Sequence, residues 1–148
     1  MADHRAKQIA DGIVTALQSV ATLNSVVYRH RALTLSEAEQ ELPAACVQIG
    51  VDTPTNRTFA SLDSQLEVIV KLYCVGSTEA DVFEQLMNMR TQSHVAVMTN
   101  PAYGLTFVTS TIYAGADAPQ IRTEGGRLVG VLETRWTVDY RMNLTDPS

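Results

Sequence analysis

The stretch Leu62-Asp-Ser-Gln-Leu-Glu-Val-Ile-Val-Lys-Leu-Tyr-Cys-Val75 decides the fold. Every second residue from Leu62 (Leu62, Ser64, Leu66, Val68, Val70, Leu72, Cys74) is apolar apart from one serine. The residues between them (Asp63, Gln65, Glu67, Ile69, Lys71, Tyr73) are mostly polar. Period two sustained over this length predicts a long strand with one face buried and the other wet. Gly76 ends it, and Ser77 and Thr78 are good helix-capping residues. A helix is therefore predicted at once, over about Glu79 to Met98, with Val82, Phe83, Leu86, Met87, Met89, Ala96 and Val97 as its apolar stripe. Its acidic start (Glu79, Asp81, Glu84) suits the helix dipole, and Asn100-Pro101 stops it. The methionines read as core filler.

Working outward, Leu128 to Met142 repeats the alternation. Leu128, Leu132, Trp136, Val138 and Tyr140 fall on one face, and Glu133, Arg135, Asp139 and Arg141 on the other. Leu105 to Tyr113, rich in threonine and β-branched residues, is a third long strand. Cys46 to Val51, introduced by Pro43, and the short Val26 to Arg31 are further strands. A first helix spans about Asp3 to Leu23, with Ile9, Ile13, Leu17 and Val20 at helical spacing and Asp3 as its cap. Gly12 in its middle costs about 1 kcal/mol relative to alanine. It is either a tolerated accident or a point where another part of the chain comes close.

These elements predict one α+β domain over residues 1–148 in the order α-β-β-β-α-β-β. A mixed or antiparallel sheet of four to five strands carries two long helices on one face. Two loop arms are expected, at about 52–60 and 114–127. The first is longer than an ordinary hairpin tip, and long tips of this kind often serve partner contact. On the wetter face, Ile69, Tyr73, Val129 and Val131 are either singly exposed or part of a subunit interface.

A chain of 148 residues with a net charge of −5 is unsuited to gripping nucleic acid. Only Lys7 and Lys71 are lysines among 11 basic residues. Arginine's planar fork suits interfaces, although lineage bias explains the preference equally well. The one dense basic cluster, Arg29-His30-Arg31, is followed by Glu37, Glu39 and Glu41. A solvated face accounts for these charges, and a contact between neighbouring subunits is the alternative. Cys46 and Cys74 sit in apolar runs and read as small buried hydrophobes. No secretory signal and no membrane-length apolar run is visible, so synthesis in the cytosol without membrane attachment is expected.

No catalytic or ligand constellation emerges. His4, His30 and His94 are scattered, and no P-loop, G-x-G-x-x-G or G-x-S-x-G is present. Glu67 and Glu133 could approach each other across the sheet, but a surface ladder with Lys71 and Arg135 explains them more cheaply. The expectation is a protein that is not an enzyme and needs no cofactor or metal.

The element order, the Leu42-Pro43-Ala44 restart, the loop-bearing hairpin, the helix after Gly76 and the closing strand Glu133 to Met142 with Trp136 and Tyr140 resemble the tail terminator proteins of long-tailed bacteriophages. The resemblance spans nearly the whole chain. It implies a virion protein of the tail and neck, assembled in the host cytoplasm as a homohexameric ring. Such a ring caps the tail tube, stops its polymerisation and offers the head-joining surface. The implied partners are other copies of the chain, the tail tube protein and a head–tail connector or stopper, with DNA passing through unbound. An acidic ring would repel phosphates, as a conduit requires. Arg29, Arg31, Arg57, Phe59, Arg122 and Arg127 are the candidate contact residues. Two alternatives stay open: another neck protein, such as a head-completion protein, or a small ligand-binding protein or enzyme.

Overall fold

The computed structural model describes residues 3–20, 23, 27–29, 43–124 and 126–148. Helix α1 spans Arg5–Gln18, β1 Val27–Arg29, β2 Ala44–Arg57, β3 Ser61–Gly76, α2 Glu79–Thr99, β4 Val108–Ala116, β5 Gln120–Glu124 and β6 Arg127–Asn143. The strands form one mixed sheet in the order β1-β2-β3-β6-β4, with β5 also pairing β6. Among the described residues only β1 and β2 run parallel, and the other pairings are antiparallel. The α+β class and expected order hold, with one added strand, β5.

The alternation of β3 is realised as read: Ser64, Leu66, Val68, Val70, Leu72 and Cys74 are buried. Opposite them, β6 buries Leu132, Thr134, Trp136, Val138 and Tyr140. Residues directly opposite share a face. The pairings Val68 with Trp136 and Leu72 with Leu132 therefore stack two apolar rows into one surface.

Both helices cover that surface. Helix α1 presents Ala6, Ile9, Ala10, Ile13 and Leu17, and α2 presents Val82, Leu86, Met89, Ser93 and Val97. Two glycines set how closely they pack. A Cβ on Gly130 of β6 would lie 2.4 Å from Val82 Cγ1 and 2.9 Å from Leu86 Cδ1, so the start of α2 rests directly on the strand. A Cβ on Gly12 of α1 would lie 2.6 Å from Tyr103 Cβ. Gly12 is thus a close-approach site, and what approaches is the Tyr103 side chain.

The structure corrects several boundaries. Helix α1 is shorter than Asp3 to Leu23, because Ser19 closes it through Ala16 and Leu17. Its cap is His4, whose ring nitrogen accepts from the Ala6 amide at 3.0 Å, while Asp3 pairs with Lys7 at 2.6 Å. At α2, Thr78 caps as expected, its hydroxyl accepting from the Asp81 amide at 3.1 Å.

Neither expected loop arm is a loop. Strand β2 continues to Arg57, so the first arm is a hairpin with only Thr58 to Ala60 between its strands. The second divides into the end of β4, a connection at 117–119 and β5, which pairs with the start of β6. On the wetter face, Val129 and Tyr73 are buried while Ile69 and Val131 are half-buried. This face is therefore less open than the alternation implied.

Candidate assembly surface

The hairpin of β2 and β3 outruns α2, while α1 follows it to Asp63: Arg5, the first residue of α1, donates to the carbonyl of Arg141 opposite Asp63, and Ser64 and Leu66 stay buried. His94, in the last turns of α2, stacks at 5.3 Å on Trp136, which lies opposite Val68. From Val68 to the tip at Ala60 the strand runs on for about 26 Å at roughly 3.3 Å per residue. Over this reach every residue of β2 from Val51 to Arg57 is exposed. Exposure on both faces is why the segment shows no period-two signal and reads as a loop.

Backbone and side-chain bonds hold the arm in shape. Its tip is closed by Thr58, whose amide donates to the Ser61 carbonyl at 2.9 Å and whose hydroxyl lies 2.6 Å from that of Ser61. Strand β6 supports it as a third strand, with Ser61 opposite Asn143. Arg141 grips Asp63 through two bonds of 2.7 and 3.3 Å. The hydrogen bond to Arg141, with its charge, holds the Asp63 carboxyl below the usual carboxylate range.

At the arm's root the buried Tyr140 hydroxyl donates to Asp52 at 2.6 Å, spanning from β6 across β3 to β2. Burial first, and then the Asp52 carboxylate, push that phenol far above its ordinary range. The C-terminal residues complete the tie: the Leu144 amide donates to Ala60 at 3.1 Å, and the Arg5 side chain donates to the Ser148 carbonyl at 2.9 Å.

Two exposed groups occupy the tip. Phe59 is 102% exposed and Arg57 has no ion-pair partner among the described residues. The structure thus brings these two predicted contact residues together. Arg122 and Arg127 are exposed beside one another in the β5–β6 hairpin, where β6 begins; the tip lies where β6 ends. Arg29 ends β1 opposite Val47, away from both groups, and Arg31 lies outside the described residues, as do Glu37, Glu39 and Glu41.

Helix α2 carries a second exposed surface, part of which, Phe83 and Met87, the sequence pattern placed in the apolar stripe. Phe83 (49%), Val95 (60%) and Met98 (39%) face solvent, and Met87 is half-buried. The sheet is wider than two helices can cover, so the flank of α2 over β4 is uncapped. There Met87, Arg90, Thr91, His94, Val95 and Tyr113 line an open groove of about 460 Å³. Arg90 donates to the Tyr113 hydroxyl at 2.6 Å, and His94 meets Tyr113 edge-on at 5.2 Å. The signal for this surface was an apolar pattern spread round the helix instead of confined to one stripe.

On the other sheet face, Lys71, Tyr73, Asp117, Gln120, Arg122 and Glu133 converge on a cavity of about 230 Å³. That volume is below the roughly 300–1,000 Å³ typical of small-molecule sites. Arg135 takes up Asp117 at 3.0 Å and Glu133 at 3.4 Å nearby. Glu67 and Glu133 do not meet: Glu67 lies opposite Thr137 and Glu133 opposite Lys71. Among the described residues no group of three or more His, Cys, Asp or Glu is placed to hold a metal ion. No described helix is long and apolar enough to cross a membrane. Cys46 and Cys74 are buried and not joined in a disulfide, and burial raises the Cys74 thiol to about 11.

No protein-family model matches the chain, and no curated protein matches it. Among solved structures, a chain from the virion of a native gene transfer agent particle aligns with a TM-score of 0.46 at 9% identity. The alignment covers 90% of this chain and 95% of that one.

Proposed function

We propose that this chain is a structural subunit of a long-tailed phage-type particle, the tail terminator. Six copies form a ring that caps the tail tube, ends its growth and presents the head-joining surface. The observation that carries this reading is the braced arm. A strand pair whose β2 half is exposed from Val51 to Arg57 and whose tip runs on about 10 Å past the start of α1, tied at its root by Tyr140–Asp52 and tipped with Arg57 and Phe59, offers a surface that its own core does not use. Its rigidity and exposure suit contact with another molecule, since a preordered contact element loses less entropy on association. The element order that carries the family resemblance is kept, with β5 added.

Two further features fit. Two distinct exposed surfaces, the tip and the α2 flank, are what head-to-tail assembly needs, and a head-to-tail contact closes into a ring when its rotation allows. The net charge of −5 suits a conduit through which DNA slides without being held. The reading assigns the chain no catalytic role and no cofactor; its partners are its own copies, the tube protein below and a connector or stopper above.

The test is removal of the gene from a particle-producing strain. Loss of a terminator gives tails of uncontrolled length in electron micrographs. Loss of a stopper gives tails of normal length that fail to join heads, and that outcome would refute the terminator role. Normal particles lacking the protein would remove the structural role altogether.

A further inference from the structure

We infer that the arm tip of one copy docks on the α2 flank of the next, with Phe59 packing against Phe83 and Met87 and Arg57 pairing with Glu84. The inference rests on the ring reading above and names the contact that builds the ring.

Four observations carry it. The first is chemical complementarity. The tip offers one basic and one fully exposed aromatic side chain, and the helix flank offers an exposed aromatic, a half-buried thioether and an exposed carboxylate. Neither Arg57 nor Glu84 has an ion-pair partner among the described residues, so each is available for a pairing in trans.

The second is spacing. Arg57 ends β2 and Phe59 lies two residues on, in the tight turn that closes the hairpin, so the two side chains leave the arm close together. Phe83 and Met87 are one helical turn apart, about 5–6 Å between their Cβ atoms, and Glu84, three residues before Met87, is also its neighbour on the helix surface. A strand end laid along the helix can therefore meet both kinds of group at once.

The third is topology, which forbids the contact within one molecule. Val82 touches Gly130, opposite Cys74, so Phe83 and Glu84 sit level with that end of β3. Arg57 lies opposite Leu62. The separation along the sheet is about 40 Å at the strand rise, and the arm is held straight by β6. Tip and flank are thus two different patches that can meet only between copies.

The fourth is the backbone edge, which argues against the competing contact. The pairing of β2 with β3 carries register shifts between Ile49 and Asp52 and between Pro54 and Asn56, which make β2 irregular, and Pro54 lacks an amide donor. Bulges and proline are devices that block strand addition at a sheet edge. The arm is therefore built to present its tip side chains, not its backbone.

The test is a cysteine pair, Phe59→Cys with Met87→Cys, oxidised in the purified full-length chain and run without reductant. A ladder of covalent multimers that disappears in either single variant is expected. In parallel, Arg57→Glu should weaken self-association by sedimentation roughly 10-fold or more, as loss of an interface anchor does. Adding Glu84→Arg to it should restore association. Circular dichroism on each variant separates an assembly defect from misfolding, and both sites are on the surface. Oligomers that form without the ladder, and that Arg57→Glu leaves unchanged, would overturn this contact while leaving the ring reading intact. A ladder that grows into open filaments would support the contact and count against the closed ring. A chain that stays monomeric at every concentration would overturn both.

Discussion

Gly130→Ala is the most demanding test of how α2 sits on the sheet. Strand interiors usually gain from such a change, because glycine loses more conformational freedom on folding than alanine, by roughly 0.5–1 kcal/mol. Here the added methyl would lie 2.4 Å from Val82 Cγ1, 2.9 Å from Leu86 Cδ1 and 3.3 Å from Cys74 Sγ. Van der Waals contact between carbons is near 3.5–4.0 Å, so the helix start must lift by about 1 Å or Val82 must leave its rotamer. Overpacking of this kind costs about 1–3 kcal/mol. After the gain from removing glycine, a net loss of about 1–2 kcal/mol remains.

Urea denaturation of monomeric protein, read as a change in midpoint at constant slope, measures the loss directly. A thermal scan should show the midpoint falling by roughly 2–4 °C per kcal/mol for a domain of this size. The decisive control is Val82→Ala. Alone it removes buried methyls at about 0.8 kcal/mol each plus a cavity term. Combined with Gly130→Ala, the new methyl fills the vacated space, so the double variant should be more stable than the sum of the single losses predicts. A coupling of about 0.5–3 kcal/mol in that direction is expected. A Gly130→Ala protein more stable than the parent, or strict additivity with Val82→Ala, would refute the close seating of α2 on β6.

Other expectations follow from the same geometry. Val68→Asp, which puts a carboxylate among buried side chains, should abolish soluble expression, whereas Gln65→Asp on the exposed face should express normally; the reverse would overturn the facing of β3. Tyr140→Phe removes the 2.6 Å bond to Asp52 and should cost about 1 kcal/mol in chemical denaturation while hastening proteolysis between Val51 and Ala60. Because Arg141 depresses the folded-state value of Asp63, that pair stabilises the fold above about pH 4, and the contribution is lost as pH falls through the depressed value. Arg141→Met should therefore make stability less dependent on pH below about pH 4. Cys74, buried and raised to about 11, should resist thiol reagents in the native protein and react on unfolding.

How much of this was legible depended on whether a residue had a dry side and a wet side. β3 and β6 each have one face under the helices and one in water, so their alternation is strict and their extents come out within a residue or so. The outer half of β2 has no dry side. Its string Val51-Asp-Thr-Pro-Thr-Asn-Arg57 has loop composition, and only its pairing with the continuing β3 makes it a strand. β5 is short and half-buried at most, and takes its strand geometry from the edge of β6 that β4 leaves free. On α2 the difficulty was the opposite. Phe83, Met87 and Val95 are apolar, yet the side facing the core is the row of Val82, Leu86, Met89 and Val97. Composition counts all of these alike, and only the sheet beneath decides which row is covered.

Both misreadings have one physical root, and it bears on assembly. Pattern reading supposes that apolar side chains face the molecule's own core and that segments without alternation have no fixed form. Under the ring assembly proposed above, a subunit would violate both suppositions at its contact surfaces. Its interface apolar residues would be exposed in the single chain, and Phe59 and Phe83 are so exposed. Its contact arm is held by backbone pairing and a few polar ties such as Tyr140–Asp52 and Arg141–Asp63, without a core of its own. The places where the single-chain pattern fails are then the places where the second copy is expected. Tip and flank are two such places, they differ in chemistry, and they lie near opposite ends of the sheet, which is the arrangement a head-to-tail ring requires.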